Sequence, residues 1–127
     1  PLLVGNLTVA THLLGTKYCP DLAGRVLLLE DIGEAPYRID RLLTHWRLSG
    51  ALQQLAGLGF GRFEGCEAPD DETRPGFSIE QVLRERSLDL GIPVVGGLPC
   101  GHGQPNAALP LGRTVRLDGR SGSLSVL

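Results

Sequence analysis

Val26-Leu27-Leu28-Leu29-Glu30-Asp31-Ile32-Gly33-Glu34 is an unbroken apolar run that ends abruptly in acids. Four consecutive aliphatic residues are too few for a helix face and suit a short strand buried on both sides. The elements around it follow. Asp21-Leu22-Ala23-Gly24 reads as the turn that leads into the run. Pro36 suits the first turn of a helix, and Ile39, Leu42, Leu43 and Trp46 recur at i, i+3, i+4 and i+7, one apolar stripe ending near Gly50. Upstream, Asn6 is placed to cap a short helix through Leu14, with Gly15 at its left-handed end. Downstream, Ala56 to Phe63 reads as a second strand with Gly57, Gly59 and Gly61 on alternate positions. A polar acidic loop follows from Glu64 to Gly76, its acids Asp70, Asp71 and Glu72 read as solvated. The next helix opens with Ser78 and Gln81 spaced as a capping box and Phe77 and Val82 as a hydrophobic staple, and should end near Gly91. Ile92 to Val95, Ala107 to Leu111, Thr114 to Leu117 and Ser123 to Leu127 read as short β segments. Strands alternate with helices and then give way to a β-rich tail. The expected fold class is therefore α/β: one domain over residues 1–127, a layered arrangement with mixed strands rather than a simple doubly wound sheet.

With 127 residues, 42% hydrophobic and 20% charged, and a net charge of −2, the composition is that of a globular domain with a real core. No basic stripe points to nucleic acid, and no apolar stretch has the length a bilayer requires. Cys19, Cys66 and Cys100 are odd in number and widely spaced, which favours reduced thiols in a cytoplasmic protein over a disulfide framework. The chain has no methionine and starts at Pro1, and it is read as a piece of something longer.

Two groups stand out chemically. Glu30 sits where a buried strand emerges, the place where functional groups gather in α/β sheets. The competing reading is structural: Glu30 or Asp31 caps the following turn, or pairs with Arg38 or Arg41. His102 lies in Gly96-Gly97-Leu98-Pro99-Cys100-Gly101-His102-Gly103, a loop shaped by glycine and proline that no core periodicity explains. His12 and His45 fall within predicted helices and read as ordinary boundary residues. Cys100-Gly101-His102 lacks partner ligands at zinc-site spacing, so neither metal nor cofactor is expected. The Gly57/Gly59/Gly61 pattern misses the dinucleotide fingerprint and reads as a site of close backbone packing. None of Ser49, Ser78, Ser87, Ser121, Ser123 and Ser125 lies in a nucleophile elbow. An acid and a base are visible, and no nucleophile.

Gly5-Asn6-Leu7-Thr8, the block Leu29-Glu30-Asp31-Ile32-Gly33-Glu34-x-Pro36-Tyr37-Arg38-Ile39-Asp40-Arg41, Gly61-Arg62-Phe63, the Gly97–Gly103 loop and Leu109-Pro110-Leu111-Gly112 occur together and in order. Taken together they resemble the C-terminal domain of the LD-carboxypeptidase family, the muramoyl-tetrapeptide carboxypeptidases and their microcin-immunity relatives. The resemblance implies a layered β/β/α, swivelling-type domain. It also implies a cytoplasmic serine peptidase with a Ser-His-Glu triad split across two domains, acting on murein tetrapeptides to release D-alanine during peptidoglycan recycling. The glutamate of that triad matches Glu30, with Glu34 the competing choice, and the histidine matches His102. Arg38, Arg41 and Arg62 are candidates to bind the substrate carboxylate. The nucleophile and oxyanion hole would come from an N-terminal domain of the same enzyme, so this chain alone is expected to be inactive and to self-associate, as a homodimer. Neither nucleic acid nor membrane is an expected partner.

Overall fold

The computed structural model describes residues 1–67 and 76–127. Most of the acidic loop, with Asp70, Asp71 and Glu72, lies outside the described residues. The elements run β1 (Leu2–Asn6), α1 (Leu7–Thr11), β2 (Val26–Ile32), α2 (Pro36–Leu48), β3 (Gly57–Glu64), α3 (Ile79–Glu85), β4 (Val94–Val95), β5 (Val115–Asp118) and β6 (Ser123–Val126). The first four strands form one parallel sheet in the order β1-β2-β3-β4, and β5 and β6 pair antiparallel as a separate hairpin.

Side chains of β2 alternate between two apolar cores. Leu27 and Leu29 pack with Ile39, Leu43 and Trp46 of α2 and with Ile79 and Val82 of α3. Val26 and Leu28 pack on the other face with Leu2, Val95, Leu98, Cys100, Val115 and Leu117. The order of layers is hairpin, parallel sheet, helices, as the β/β/α expectation has it. Leu28 and Leu29 are both fully buried, which accounts for the absence of polar alternation in this strand.

The glycines of β3 make the second β layer possible. A Cβ on Gly59 would lie 2.8 Å from Leu98 and 2.9 Å from Leu28, and one on Gly61 would lie 2.5 Å from the carbonyl oxygen of Cys100. Leu58 and Phe60, alternating with these glycines, face the helical core. Gly59 and Gly61 thus admit the 98–100 segment, and Gly57 admits Leu117 of the hairpin, 3.1 Å from where its Cβ would stand.

Several local expectations shift. Leu2–Asn6 forms a strand before the Asn6 cap, and α1 ends at Thr11. Asn6 does cap it, its side chain accepting from Val9 N–H at 3.0 Å. Ser78 caps α3 by accepting from Gln81 N–H at 3.1 Å. The Gln81 amide, however, donates forward to Glu85 at 2.9 Å, and no bond returns to Ser78 among the described residues. Phe77 stays exposed. The helix stops at Glu85 and a single 3-10 turn, Leu88–Leu90, carries the chain to Gly91 in the left-handed region. Residues 107–111 form no strand, and β4 keeps only Val94–Val95 of the four residues expected. Short edge elements draw their hydrogen bonds from tertiary neighbours, which residue preference alone does not specify.

Candidate active site

β2 ends in two acids that point to opposite layers, and each finds a different partner. Asp31 is buried and turns toward α1. Its Oδ1 accepts from the Asn6 side-chain amide at 3.0 Å and the Ile32 N–H at 2.9 Å; its Oδ2 accepts from the Thr8 N–H at 2.9 Å and hydroxyl at 2.7 Å. Glu30 turns to the other face. Its Oε2 accepts from Nδ1 of the His102 ring at 2.8 Å and from the His102 backbone N–H at 3.3 Å.

The geometry settles which of the open sequence readings holds. Neither Glu30 nor Asp31 pairs with Arg38 or Arg41 among the described residues. Arg38 instead meets Glu34 at 3.4 Å, four residues back, which removes Glu34 as the histidine's partner. The Glu30 side chain is 10% exposed and that of His102 50%, so the acid is sheltered and the base is open to solvent. With the carboxylate ionised and the ring neutral, the proton at the shared edge sits on Nδ1 and a lone pair is left on Nε2. Among the described residues nothing bonds to Nε2.

Backbone hydrogen bonds tie the loop that carries His102 to the edge of β3. Leu98 N–H donates to the Phe60 carbonyl at 3.0 Å and Arg62 N–H to the Cys100 carbonyl at 2.8 Å, continuing the edge of β3. Ala107 N–H closes the loop onto the Pro99 carbonyl at 2.7 Å. Gly101 passes directly over Glu30 with φ +105°, and Gly103 has φ +90° beside Glu64. Cys100 is buried beneath, and burial, followed by the nearby Glu30, pushes its thiol above the ordinary range. It is placed as packing rather than as a nucleophile.

Of the three arginines, Arg38 and Arg41 lie on the first turns of α2 and flank the exposed ring of Tyr37, at 5.8 and 5.0 Å from its centre. Arg38 Nε also donates to the Tyr37 hydroxyl at 3.2 Å, which draws the phenol below its ordinary pKa. Arg62 lies beside the histidine loop, its Cδ 3.8 Å from where a Cβ on Gly103 would stand, and its Nε is buried with no partner among the described residues. His12 hydrogen-bonds the Thr8 carbonyl at 2.7 Å and His45 is exposed on α2, so both are boundary residues as expected. Among the described residues no three His, Cys, Asp or Glu side chains gather as metal ligands, and no helix is long and apolar enough to cross a membrane.

A layered β/β/α domain with a buried glutamate holding an exposed histidine matches known proteins over nearly its whole length. Residues 1–117 fit the family model of the LD-carboxypeptidase C-terminal domain. The chain belongs to the LD-carboxypeptidase family. It is 55% identical over 126 residues to a Synechocystis sp. protein provisionally named a carboxypeptidase, covering 99% of this chain and 41% of that one. It is 37% identical to the murein tetrapeptide carboxypeptidase of Pseudomonas aeruginosa, covering 93% of this chain and 38% of that one. Among solved structures of the LD-carboxypeptidase type, the muramoyltetrapeptide carboxypeptidase of Oxalobacter formigenes superposes with a TM-score of 0.79 at 38% identity, covering 90% of this chain and 39% of that one. The microcin C7 self-immunity protein MccF, solved with glutamyl sulfamoyl guanosine, superposes with a TM-score of 0.81 at 25% identity, covering 98% and 36%. The chain thus spans about two fifths of the length of the curated relatives it matches.

The family resemblance matched Glu30, with Glu34 the alternative, to the histidine's partner, whereas residue pattern alone left Glu30 and Asp31 undivided. The signal that could have separated them is Asn6-x-Thr8, a run of side-chain donors in the first helical turn that suits the shorter acid.

Proposed function

We propose that this chain is the base-bearing half of a serine-type LD-carboxypeptidase that hydrolyses the L,D-peptide bond of murein tetrapeptides and releases terminal D-alanine. The observation that carries this reading is the 2.8 Å hydrogen bond between His102 Nδ1 and the sheltered Glu30 carboxylate, on a ring that is half exposed. The names and identities of the murein carboxypeptidase relatives support the substrate class.

In this reading a serine from an N-terminal domain approaches Nε2. His102 takes the hydroxyl proton as oxygen bonds to the scissile carbonyl carbon, then returns it to the departing amine; a water repeats the cycle to free the acyl group. Glu30 fixes the ring tautomer and stabilises the imidazolium. Arg62, whose Cδ lies 3.8 Å from where a Cβ on Gly103 would stand, is with Arg38 and Arg41 a candidate to receive the substrate carboxylate. The oxyanion donors come from the other domain, and without them acyl transfer has no stabilised intermediate. Three free cysteines suit a cytoplasmic enzyme, and the assembled protein is expected to be a homodimer.

The test joins this chain to the N-terminal domain of a full-length relative and follows D-alanine release from a tetrapeptide. The chain alone should be silent and the assembly active. Glu30→Ala should lower kcat by up to about 10⁴-fold, and His102→Ala by more. An assembly that folds and releases no D-alanine would overturn the murein reading. Wild-type rates in both variants would leave only a non-catalytic module that keeps the fold.

The likeness to MccF makes a peptide–nucleotide peptidase the second reading. A nucleobase calls for an aromatic platform. Trp46 is buried with its indole N–H on Thr11 at 2.8 Å, whereas Tyr37 is exposed on the first turn of α2 and is the candidate platform. Cleavage of an aminoacyl sulfamoyl nucleoside in preference to a tetrapeptide would favour this alternative.

A further inference from the structure

We propose that Asp31 is a positioning residue: it pins the end of β2 so that the glutamate, and not the aspartate beside it, meets the His102 ring. This rests on the reading of Glu30 and His102 as acid and base, and goes beyond it by asking what holds the acid in place.

Two adjacent carboxylates end a strand whose side chains alternate between layers. A slip of one residue would exchange them, sending Glu30 toward α1 and Asp31 toward the histidine loop. The ladder is irregular at this point: the pairing of β2 with β3 is regular to Leu29 and then shifts before Asp31. Glu30 therefore sits at an irregularity, with its support coming from the opposite side. There its partner across the ladder is Asn6 of β1. Asn6 is itself doubly fixed, its Oδ1 accepting from Val9 N–H at 3.0 Å and its Nδ2 donating to Asp31 at 3.0 Å.

Four donors converge on Asp31, two of them backbone N–H groups, and fill both of its oxygens. The longer glutamate could not sit among the same donors without moving α1. The donor set thus discriminates between the two acids by chain length, and α1 is itself anchored on α2 by the Trp46–Thr11 bond. On the other face the fit is equally selective: Gly101 passes so near Glu30 that its missing Cβ would lie 2.8 Å from Oε2. Asp31 belongs to neither the ring nor any substrate; it acts through the backbone it shares with Glu30.

The experiment is ¹⁵N and ¹H NMR of the His102 ring in the 127-residue chain, comparing wild type with Glu30→Ala, Asp31→Asn and Thr8→Val. The wild type should show the Nδ1–H tautomer and a downfield, slowly exchanging Nδ1 proton. Glu30→Ala should abolish both. Asp31→Asn turns an amide NH₂ toward the N–H donors, and should remove the downfield proton and mix the tautomers although Glu30 is intact. The Trp46 indole resonance reports separately whether α1 stays docked. If Asp31→Asn shifts that resonance, Thr8→Val, which keeps the carboxylate and removes one donor, becomes the deciding variant and should still broaden the Nδ1 proton. Wild-type ring signals in Asp31→Asn with α1 docked, or in Thr8→Val, overturn the positioning role and leave the peptidase reading standing. Wild-type ring signals in Glu30→Ala overturn both.

Discussion

Gly101 shows how little freedom a single residue has here. Its φ of +105° lies where side chains are rarely found, and a Cβ would meet Glu30 Cβ and Oε2 at 2.8 Å. Gly101→Ala should therefore push the histidine loop off Glu30, with loss of the downfield Nδ1 proton and, in an active assembly, a fall in kcat comparable to Glu30→Ala. Gly59→Ala, which meets only side chains of Leu28 and Leu98, should instead cost stability, about 1–3 kcal/mol by overpacking, read from the urea midpoint. Cys66 is the complementary case. Burial raises its thiol above the ordinary range, and the same holds for Cys100. At pH 8 a disulfide reagent should label half-buried Cys19 first and reach Cys66 and Cys100 only on unfolding.

At the scale of elements, the helical layer is fastened by charged ties at its rim. Arg47 of α2 makes a two-pronged pair with Asp89 at 2.7 and 2.8 Å and also donates to the Arg86 carbonyl at 3.0 Å. Arg86 in turn meets Asp40. The Arg47 bonds hold Asp89 below the usual carboxylate range. Because the folded value lies below the unfolded one of about 3.9, the tie contributes above that pH and is lost as pH falls through the lowered value. Asp89→Asn should then lower the urea midpoint at pH 7, and the gap to wild type should close toward pH 2. The Ser78 cap is independent of this: Ser78→Ala should cost roughly 1 kcal/mol at either pH. Cap and stripe were readable because both depend on nearest neighbours along the chain. The stop at Glu85 was not, since Ser87 donates to the Leu83 carbonyl at 2.6 Å and leaves the helix at φ −131° to meet the α2 tie.

For the molecule as a whole, β2 is the axis. It has a strand on each side and an apolar core on each face, whereas β4 is a two-residue edge and β6 is half of a surface hairpin. Hydrogen exchange should accordingly be slowest at Leu27 to Leu29 and Leu58 to Phe60, and fastest, among strands, in β4 and β6. Equal protection across the six strands of the described residues would contradict this ordering. The central strand was plain from its composition, because only a strand covered on both faces tolerates so long an apolar run. The edge strands are not: β1 is hidden in the sequence by the cap that follows it, and residues 107–111 read as β but take no strand partner among the described residues.

The sequence alone determined the layered α/β class, the main strand and the Pro36 helix, and singled out Glu30 and His102 as candidates, since each has a local signature in periodicity, capping or loop composition. Residue pattern without the family resemblance did not separate Glu30 from Asp31, because that choice depends on donors in β1 and α1, some two dozen residues upstream, and on a glycine some seventy residues downstream. Only the folded arrangement brings Asn6, Thr8 and Gly101 to the end of one strand, and their distances there assign the two carboxylates to opposite faces.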